Sequence, residues 1–392
     1  MTATGPTGVL SAVPPPGTVP NRPSMKRARC LPGCLFGFAL AGVPAAGQSA
    51  PPTPGQSAPP AAAPWYAQPN IWHPPAPNPK AARLPLISVK GNRFVDPAGA
   101  PVLFRGVSIA DPDKLAGQGH WNEALFAAVK DFGANLVRIP VHPIAWRERT
   151  PAEYLKLLDQ AVDWCTDQGI YVDIDWHSIG NLRTGMFQAP MYDTSTAETL
   201  NFWRTIAVHF RGHHTVAFFE LFNEPTRFRG MLGTVDWSDW RALNEEMIGV
   251  IRSCGAQAVP LVAGFDWAYE LGPITNDPVR AEGIGYVTHP YPNKRPQPWE
   301  PRWDEDFGFA AGKYPVIATE IGFNLKPGEA DDADRYGERI TRYLEERGIG
   351  WLAWDFDPDW GPKLLKSFDG FALTPAGEFF KAALHRPPAP PR

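Results

Sequence analysis

Two glutamates at the ends of apolar segments are the residues best suited to chemistry in this chain. Glu224 follows Asn223 in VAFFELFNEP, residues 216–225, and Glu320 lies in YPVIATEIGF, residues 314–323. Runs this hydrophobic are typical of strands buried on both faces, so an acid at the carboxyl end lies at the rim of a parallel sheet. Either acid alone would be read as an ordinary strand-end charge. The pair indicates acid/base or nucleophilic work on one substrate.

The order of elements predicts how these acids are positioned. Eight strands are predicted, at 102–107, 134–141, 170–177, 216–224, 259–265, 284–291, 316–323 and 351–356. Helical patterns fall between and after them, at 120–132, 152–168, 197–211, 236–254, 300–311, 331–346 and 374–384, and the weaker interval 265–284 has room for only a short helix. Repeated β-then-α units over roughly 290 residues predict an α/β fold, a single (β/α)8 TIM barrel. The segment 86–102 precedes it as an N-terminal β-hairpin that we expect to cover the amino-terminal end of the barrel.

Active sites of this fold lie at the carboxyl ends of the strands, so the polar residues predicted there form one set. In strand order the set is Arg105, Arg138, Asp175, Trp176, His177, Asn223, Glu224, His289, Tyr291, Glu320, Trp354 and Asp355. Burying such groups without partners is costly, so they must satisfy one another or a ligand. A purely structural barrel does not need them at one rim.

These strand-end residues resemble those of glycoside hydrolase family 5, the cellulase family, over residues 105–357. The resemblance assigns the acid/base role of that family to Glu224 and the nucleophile to Glu320. It assigns substrate binding to residues in NLVRIP, DIDWH, NEP, HPY and WLAWDF, namely Arg138, His177, Asn223, His289, Tyr291 and Trp354. It implies no metal and no other cofactor.

The resemblance also implies a mechanism. In a retaining glycosidase the two carboxyl groups stand about 5–5.5 Å apart, so one attacks the anomeric carbon while the other protonates the leaving oxygen. Arg138 would be the counter-charge of Glu320, and Tyr291 would donate a hydrogen bond to it. Asn223 would reach the sugar 2-hydroxyl, and Trp354 would lie beneath the ring being cleaved.

The resulting hypothesis is a retaining endo-β-1,4-glucanase of the cellulase type that acts as a monomer on β-glucan. A β-mannanase or a xyloglucanase remains a rival, because the same catalytic residues serve all three and the loops select the polymer. A non-catalytic glycan-binding barrel is the rival from another class. The presence of both acids argues against it.

Other polar and aromatic features carry weaker expectations. The pair His213-His214 precedes the fourth strand and is expected at the opposite end of the barrel, which argues against a metal site there. The segment 355–365 is a candidate for substrate contact through Asp357, Trp360 or Lys363. Two or three members of a set of rim tryptophans are expected to line subsites, the set being Trp176, Trp237, Trp267, Trp299 and Trp303.

The amino-terminal region is typical of targeting sequence. Residues 1–24 read as an upstream extension, and 25–50 as a secretory signal peptide with a basic start and an apolar run too short to span a bilayer. Residues 51–80 are rich in Pro and Ala and predict a disordered linker. The catalytic domain is expected at 81–386, followed by a Pro-rich tail at 387–392. We therefore expect a secreted or periplasmic protein.

The net charge restricts the classes of molecule that this chain is expected to bind, and the cysteine content indicates the state of its thiols. The formal net charge of -4 and the pI near 6.2 give no basic field for nucleic acid or anionic lipid, so neither nucleic acid nor, after signal cleavage, a membrane is expected as a partner. After removal of the predicted signal peptide only Cys165 and Cys254 remain. Both are expected to be buried free thiols.

Overall fold

A computed structural model describes residues 78–226, 232–324 and 336–390 of the chain. The predicted extension and signal peptide, and most of the predicted linker, lie outside the described residues. The strands are β1 Ser88–Lys90, β2 Arg93–Val95, β3 Arg105–Ser108, β4 Leu136–Val141, β5 Tyr171–Trp176, β6 Ile179–Asn181, β7 Met186–Phe187, β8 Val216–Glu220, β9 Glu224–Pro225, β10 Val259–Ala263, β11 Gly285–Val287, β12 Val316–Ile321, β13 Gly350–Ala353, β14 Leu365–Ser367 and β15 Ala372–Leu373.

The helices are α1 Pro112–Gly117, α2 Glu123–Asp131, α3 Pro143–Arg149, α4 Pro151–Gln168, α5 Thr196–His209, α6 Trp237–Ser253, α7 Phe265–Ala268, α8 Trp299–Asp306, α9 Glu338–Glu346 and α10 Pro375–His385. The capping residues explain several boundaries. The Asn122 side chain accepts from Leu125 N at the start of α2, and Gly169, with a φ of 67°, ends α4 in the left-handed conformation. The weak interval 265–284 contains α7 and a single 3-10 turn, Gly272–Thr275, as expected.

Eight parallel strands close into a barrel in the order β3-β4-β5-β8-β10-β11-β12-β13, and β13 pairs with β3. The predicted (β/α)8 barrel is therefore confirmed. The barrel strands consist almost entirely of buried residues, which accounts for their near-continuous hydrophobic runs. The carboxyl ends of the strands consequently meet at one rim.

The hairpin β1–β2 is also confirmed, and it closes the amino-terminal end of the barrel. Phe94 is 5% exposed, and its ring lies 4.8 Å from Phe218 and 6.0 Å from Phe104 in edge-to-face geometry. Gly285 leaves room for it, since a Cβ there would lie 2.8 Å from the Phe94 ring. The hairpin thus inserts an aromatic plug into the lower core.

Arg105 is not at the rim, so that part of the sequence prediction is wrong. The first barrel strand begins at Arg105 instead of ending near it, and its guanidinium lies at the amino-terminal end. There Nη1 donates to Glu345 Oε1 at 3.3 Å and to Arg386 O at 3.0 Å. The polar residue at the carboxyl end of β3 is Ser108.

Residues 78–85 lie against the outside of the barrel. The Asn78 side chain donates to Asp163 at 2.9 Å, Lys80 Nζ to Asp167 at 2.6 Å, and Ala81 O accepts from His214 N at 2.7 Å. Asn78 and Lys80, two residues at the end of the predicted linker, therefore contribute contacts to the fold.

Two further expectations concern cysteines and membranes. Cys165 and Cys254 are free and buried, which confirms the expectation from sequence. Among the described residues, no helix combines the length and the hydrophobicity required to cross a bilayer.

Candidate active site

Glu320 is held by one donor on each carboxylate oxygen. It lies in β12, where Oε1 accepts from Arg138 Nη1 at 2.8 Å and Oε2 accepts from Tyr291 Oη at 2.8 Å. Burial raises the pKa of Glu320, while the charges of His289 and Arg138 oppose that rise. The two donors fix the orientation of the carboxylate and favour its charged form.

Arg138 is fully buried and is shared among several acids. Its Nε and Nη2 donate to the two oxygens of Glu220 at 2.8 and 2.9 Å, and Nη2 also lies 2.9 Å from Asp175 Oδ2 and 2.6 Å from Asn223 Oδ1. Burial alone would lower the pKa of Arg138, but the neighbouring carboxylates raise it well above its usual value. The guanidinium therefore stays charged and ties strands β4, β5, β8 and β12 together at the rim.

The side chain of Glu224 contacts the imidazole ring of His289. His289 Nδ1 lies 3.0 Å from Glu224 Oε1, and Nε2 lies 2.9 Å from Thr319 Oγ1, which donates to Glu220 Oε1 at 3.1 Å. Burial would lower the pKa of His289, yet the charge of Glu320 and hydrogen bonds to Glu220 and Glu224 raise it to about 9. A protonated His289 donates from both ring nitrogens.

The two candidate catalytic carboxylates approach each other closely. One donor atom from each of Glu224, His289 and Glu320 lies within 4.8 Å of the other two. Such a set is able to bridge a cation, but a protonated imidazole opposes this, since metal binding requires the neutral ring. Close carboxylates with distinct partners suit acid/base and nucleophilic chemistry on one bond.

His177 and Trp354 form a stacked pair of rings in the same cleft as Glu224 and Glu320. Their rings stack with centroids 5.5 Å apart and planes 2° apart, and His177 Nδ1 lies 2.6 Å from Asp175 Oδ2. Burial, followed by the positive charges around it, lowers the pKa of His177 well below its usual value. His177 is therefore neutral, its Nδ1 contacts Asp175, and its ring and that of Trp354 form part of the cleft wall.

The cleft above these residues has two halves that meet at Glu224, Tyr291 and Pro362. The smaller half, of about 560 Å³, also contains Glu320, and its wall includes His177, Asn223, Trp354 and Trp360. The larger half, of about 1330 Å³, extends past Glu224 on the other side, and its wall includes Gln188, Asp266, Trp267, Lys294 and Arg295. An elongated ligand therefore fits across the carboxylates.

The structure brings together the eight residues to which the family resemblance assigns catalysis or substrate binding. Glu224, Glu320, His177, Asn223, Tyr291 and Trp354 line the cleft, and Arg138 and His289 lie directly behind the two glutamates. Their individual roles remain predictions.

Two or three of the five rim tryptophans were expected to line subsites, but one of the five lines the cleft, so this expectation is wrong. Trp267 lines the cleft, but Trp176 is buried and donates to Thr199, and Trp299 and Trp303 are buried in a stacked pair. Trp237 donates to the Asp277 carbonyl and packs on the core.

In the segment after β13, Trp360 lines the cleft whereas Asp357 and Lys363 do not. Asp357 is fully buried and binds Lys114, so it is an internal ion-pair partner. His213 and His214 lie at the opposite end as expected, since His214 Nδ1 is 3.1 Å from Leu84 O.

Sequence reasoning missed three polar residues inside the barrel, Glu220, Thr319 and Asp173. Glu220 and Thr319 connect Arg138 to His289. Asp173 is fully buried, and burial followed by the charge of Glu220 raises its pKa well above the usual value. An acid inside an apolar strand, as in VAFFE, was the available signal, because such a group requires a buried partner.

This chain is similar in sequence and in structure to known proteins. Residues 95–359 match the sequence model of a family described as Cellulase (glycosyl hydrolase family 5). The β-glucanase SdGluc5_26A from Saccharophagus degradans is 42% identical, with a TM-score of 0.75 over 80% of this chain and 98% of that chain. The same protein has been solved in complex with cellotetraose.

Curated relatives agree with this match. Endoglucanase E-5 of Thermobifida fusca is 27% identical over 287 residues, which are 71% of this chain and 57% of that protein. Endoglucanase MaCel5A of Microbulbifer sp. (strain ALW1) is 26% identical over 293 residues, 71% of this chain and 52% of that protein. The chain thus spans little more than half the length of these relatives.

Proposed function

The chain belongs to the cellulase family, glycosyl hydrolase family 5, and on that basis we propose that it is a secreted, retaining endo-β-1,4-glucanase. The observation that carries the proposal is the carboxylate pair, Glu224 and Glu320, in the middle of a cleft open on both sides. Its relatives include endoglucanases, and the β-glucanase SdGluc5_26A has been solved in complex with cellotetraose. A secretory route rests on the predicted signal peptide at 25–50.

In the first step Glu320 attacks the anomeric carbon and forms a covalent glycosyl ester. Glu224 gives its proton to the leaving glycosidic oxygen, so the bond to the leaving sugar breaks as the new C–O bond forms. Arg138 and Tyr291 keep Glu320 oriented for attack. The 2.8 Å contacts from both donors support this role, since the orientation is set before substrate arrives.

In the second step Glu224, now ionised, takes a proton from water. The resulting nucleophile attacks the anomeric carbon from the face opposite Glu320 and releases the sugar with its original configuration. His289 supports this step, because its Nδ1–H stabilises the ionised Glu224. Carboxylate oxygens within 4.8 Å favour this double displacement over an inverting route, which needs about 6.5–9.5 Å between the carboxyls.

The two halves of the cleft have defined polarity in this scheme. The smaller half contains Glu320, Asn223 and Trp354 and would hold the sugar that becomes attached to the enzyme. The larger half contains Glu224 without Glu320, so it would receive the leaving sugars. Substrate that occupies both halves is cut internally, which is the basis for the endo assignment.

One experiment tests the polymer and the stereochemistry together. The protein is incubated with carboxymethyl-cellulose, mixed-linkage glucan, xyloglucan and mannan, and early products are followed by proton NMR. We expect turnover on the glucans with β-configured products, and a rapid fall in the viscosity of carboxymethyl-cellulose. Preferred turnover of mannan or xyloglucan would replace the glucanase assignment, α-configured first products would exclude retention, and inactivity on every polymer would reject the proposal.

A further inference from the structure

Two tryptophans face the cleft from opposite sides of the carboxylate pair, and each is accompanied by a lysine. Lys114 Nζ lies 5.3 Å from the ring centre of Trp360, and Lys294 Nζ lies 5.0 Å from the ring centre of Trp267. We propose that these lysines are positioning residues that hold Trp360 and Trp267 as sugar platforms, and so set how strongly each half of the cleft grips the glycan chain. This inference rests on the proposed function and deepens it.

On the smaller side, Lys114 is anchored by two acids from the loop that carries Trp360. Its Nζ lies 2.5 Å from Asp357 Oδ2 and 3.0 Å from Asp359 Oδ2. Asp357 is completely buried, so Lys114 supplies the charge that this carboxylate requires. Lys114 comes from α1, which follows β3, and it therefore ties two rim loops that are distant in sequence.

Asp357 passes this constraint on to the backbone of the loop. Its Oδ1 accepts from Asp359 N at 2.6 Å and from Trp360 N at 3.2 Å, while Oδ2 is held by Lys114. The Trp360 ring meets His142 edge-on, with centroids 5.3 Å apart, and thereby lies against the wall formed by His177. Asp357 thus fixes the backbone of Trp360, whose side chain forms part of the cleft wall and supplies an aromatic ring there.

On the larger side, Lys294 holds a turn that L-residues avoid. Asp266, Trp267 and Ala268 have φ values of 58°, 56° and 56°, all in the left-handed region. Lys294 Nζ donates to Asp266 O at 2.6 Å, and Arg295 binds the Asp266 carboxylate at 2.9 Å. Strained backbone of this kind persists only where surrounding contacts over-determine it, and here those contacts aim Trp267 into the cleft.

A flat indole stacks on the apolar face of a pyranose ring and places no demand on its hydroxyl pattern. Each platform therefore adds affinity for chain length. Trp360 would act on sugars that remain attached to the enzyme, and Trp267 on the leaving sugars. The prediction is a separation of effects by substrate.

A double-mutant cycle tests the Lys114 clamp. Trp360→Ala, Lys114→Met and the combined variant are assayed on an aryl β-cellotrioside, whose sugars occupy only the smaller half of the cleft. We expect Trp360→Ala to raise KM about tenfold, equivalent to about 1.4 kcal/mol of binding, with a smaller change in kcat. Lys114→Met should raise KM several-fold in the wild-type background and by less than about twofold in the Trp360→Ala background. An equal effect of Lys114→Met in both backgrounds would overturn the proposal, because a general structural role does not depend on Trp360.

Two safeguards keep the cycle interpretable. Lys114→Met leaves the buried Asp357 carboxylate unpaired, so the cycle is repeated with Lys114→Met/Asp357→Asn, which removes both charges, and Lys114→Arg should restore most of the lost affinity. The matched control is Lys313→Met, an exposed lysine that precedes β12 at the amino-terminal end. If Lys313→Met raised KM as much as Lys114→Met, the clamp would be rejected.

The leaving-group side is tested by exchanging the substrate. Lys294→Met and Trp267→Ala should lose more activity, relative to the wild type, on cellohexaose than on the aryl cellotrioside. Trp360→Ala should lose activity on both substrates. The same ranking of substrates for Lys294→Met and Lys114→Met would overturn the assignment of one lysine to each side. Wild-type turnover on the polymer panel tests the proposed function separately, and the cycle is read as ratios on whichever glycan the wild type cleaves.

Discussion

The two central glutamates differ in the partners that surround them, and this difference agrees with the roles proposed for them. Glu320 accepts from Arg138 and Tyr291, neither of which gives up its proton at neutral pH. Burial, followed by the charges of Glu320 and Glu224, raises the pKa of Tyr291 well above its usual value, and the neighbouring carboxylates raise the pKa of Arg138 against the opposing effect of burial. Glu224 instead faces His289, a group able to exchange a proton. Permanent donors suit a nucleophile that stays ionised, and a titratable partner suits a residue that must give and accept a proton.

Glu320→Ala tests the nucleophile. We expect turnover to fall by several orders of magnitude, since the covalent intermediate no longer forms. Added azide should restore cleavage of an activated aryl glycoside by entering the vacated space, and the glycosyl azide should have inverted configuration. NMR of the product checks this. A variant that kept a substantial share of wild-type rate without azide would contradict the assignment.

Glu224→Ala tests the acid/base. Its loss should slow bond cleavage most for substrates with poor leaving groups, which require protonation, and much less for an aryl glycoside whose leaving group departs unaided. Pre-steady-state measurement of the first step on both substrates makes the comparison. Equal losses on the two substrates would count against this role.

His289 predicts a pH dependence of stability. Because its pKa in the folded protein is raised to about 9 by Glu320, Glu220 and Glu224, its contribution is complete below about pH 6.5 and is lost as the pH rises through 9. The His289→Gln variant lacks this titration. Between pH 6 and pH 9.5 the melting temperature should therefore fall more for the wild type than for the variant. An equal fall in both proteins would show that another group governs stability at alkaline pH.

At the scale of elements, the sequence located the barrel strands because buried parallel strands are continuous apolar runs, although the fourth and sixth strands end at Glu220 and Val287, four residues before their predicted ends. That pattern delivered Glu224, Glu320 and Tyr291 to one rim. It failed for Arg105, where the run begins before the strand does and the polar residue belongs to the amino-terminal end. Trp299 and Trp303 were misjudged for a related reason, since a tryptophan near a rim loop is as able to pack inward as to face the cleft.

The hairpin β1–β2 is predicted to act on stability and not on chemistry. Phe94→Ala removes a 5%-exposed ring from the lower core and should cost about 3–5 kcal/mol of unfolding free energy. The control is Phe309→Ala, at a ring that is 37% exposed, and should cost far less. Denaturant unfolding measures both. Similar losses for the two variants would mean that the hairpin does not plug the core, and kcat of the folded Phe94→Ala protein should remain near the wild-type value.

At the scale of the whole molecule, the barrel and the cleft depend on different kinds of information. Barrel closure follows from repeated strand and helix patterns, which local sequence carries. The walls of the cleft follow from contacts between distant loops, such as Lys114 with Asp357, 243 positions apart. Local patterns contain no record of such pairs, so the sequence offered Trp360 and Trp267 only among several candidates, whereas it placed Glu224 and Glu320 at the rim directly.

The amino-terminal boundary gives the last prediction. A chain that begins at Ala81 loses the hydrogen bond from Asn78 to Asp163 and the partly exposed Lys80–Asp167 pair, which together should cost about 1–2 kcal/mol. Activity on soluble polymer should be retained, because these contacts lie on α4, far from the rim. A chain that begins after β2 also loses the Phe94 plug and should be much less stable, since the lower core becomes exposed to water. Thermal melts of the two truncated proteins decide between these outcomes. A large loss from removing only the first 80 residues would mean that the predicted linker belongs to the fold, and equal melting temperatures would mean that the hairpin does not.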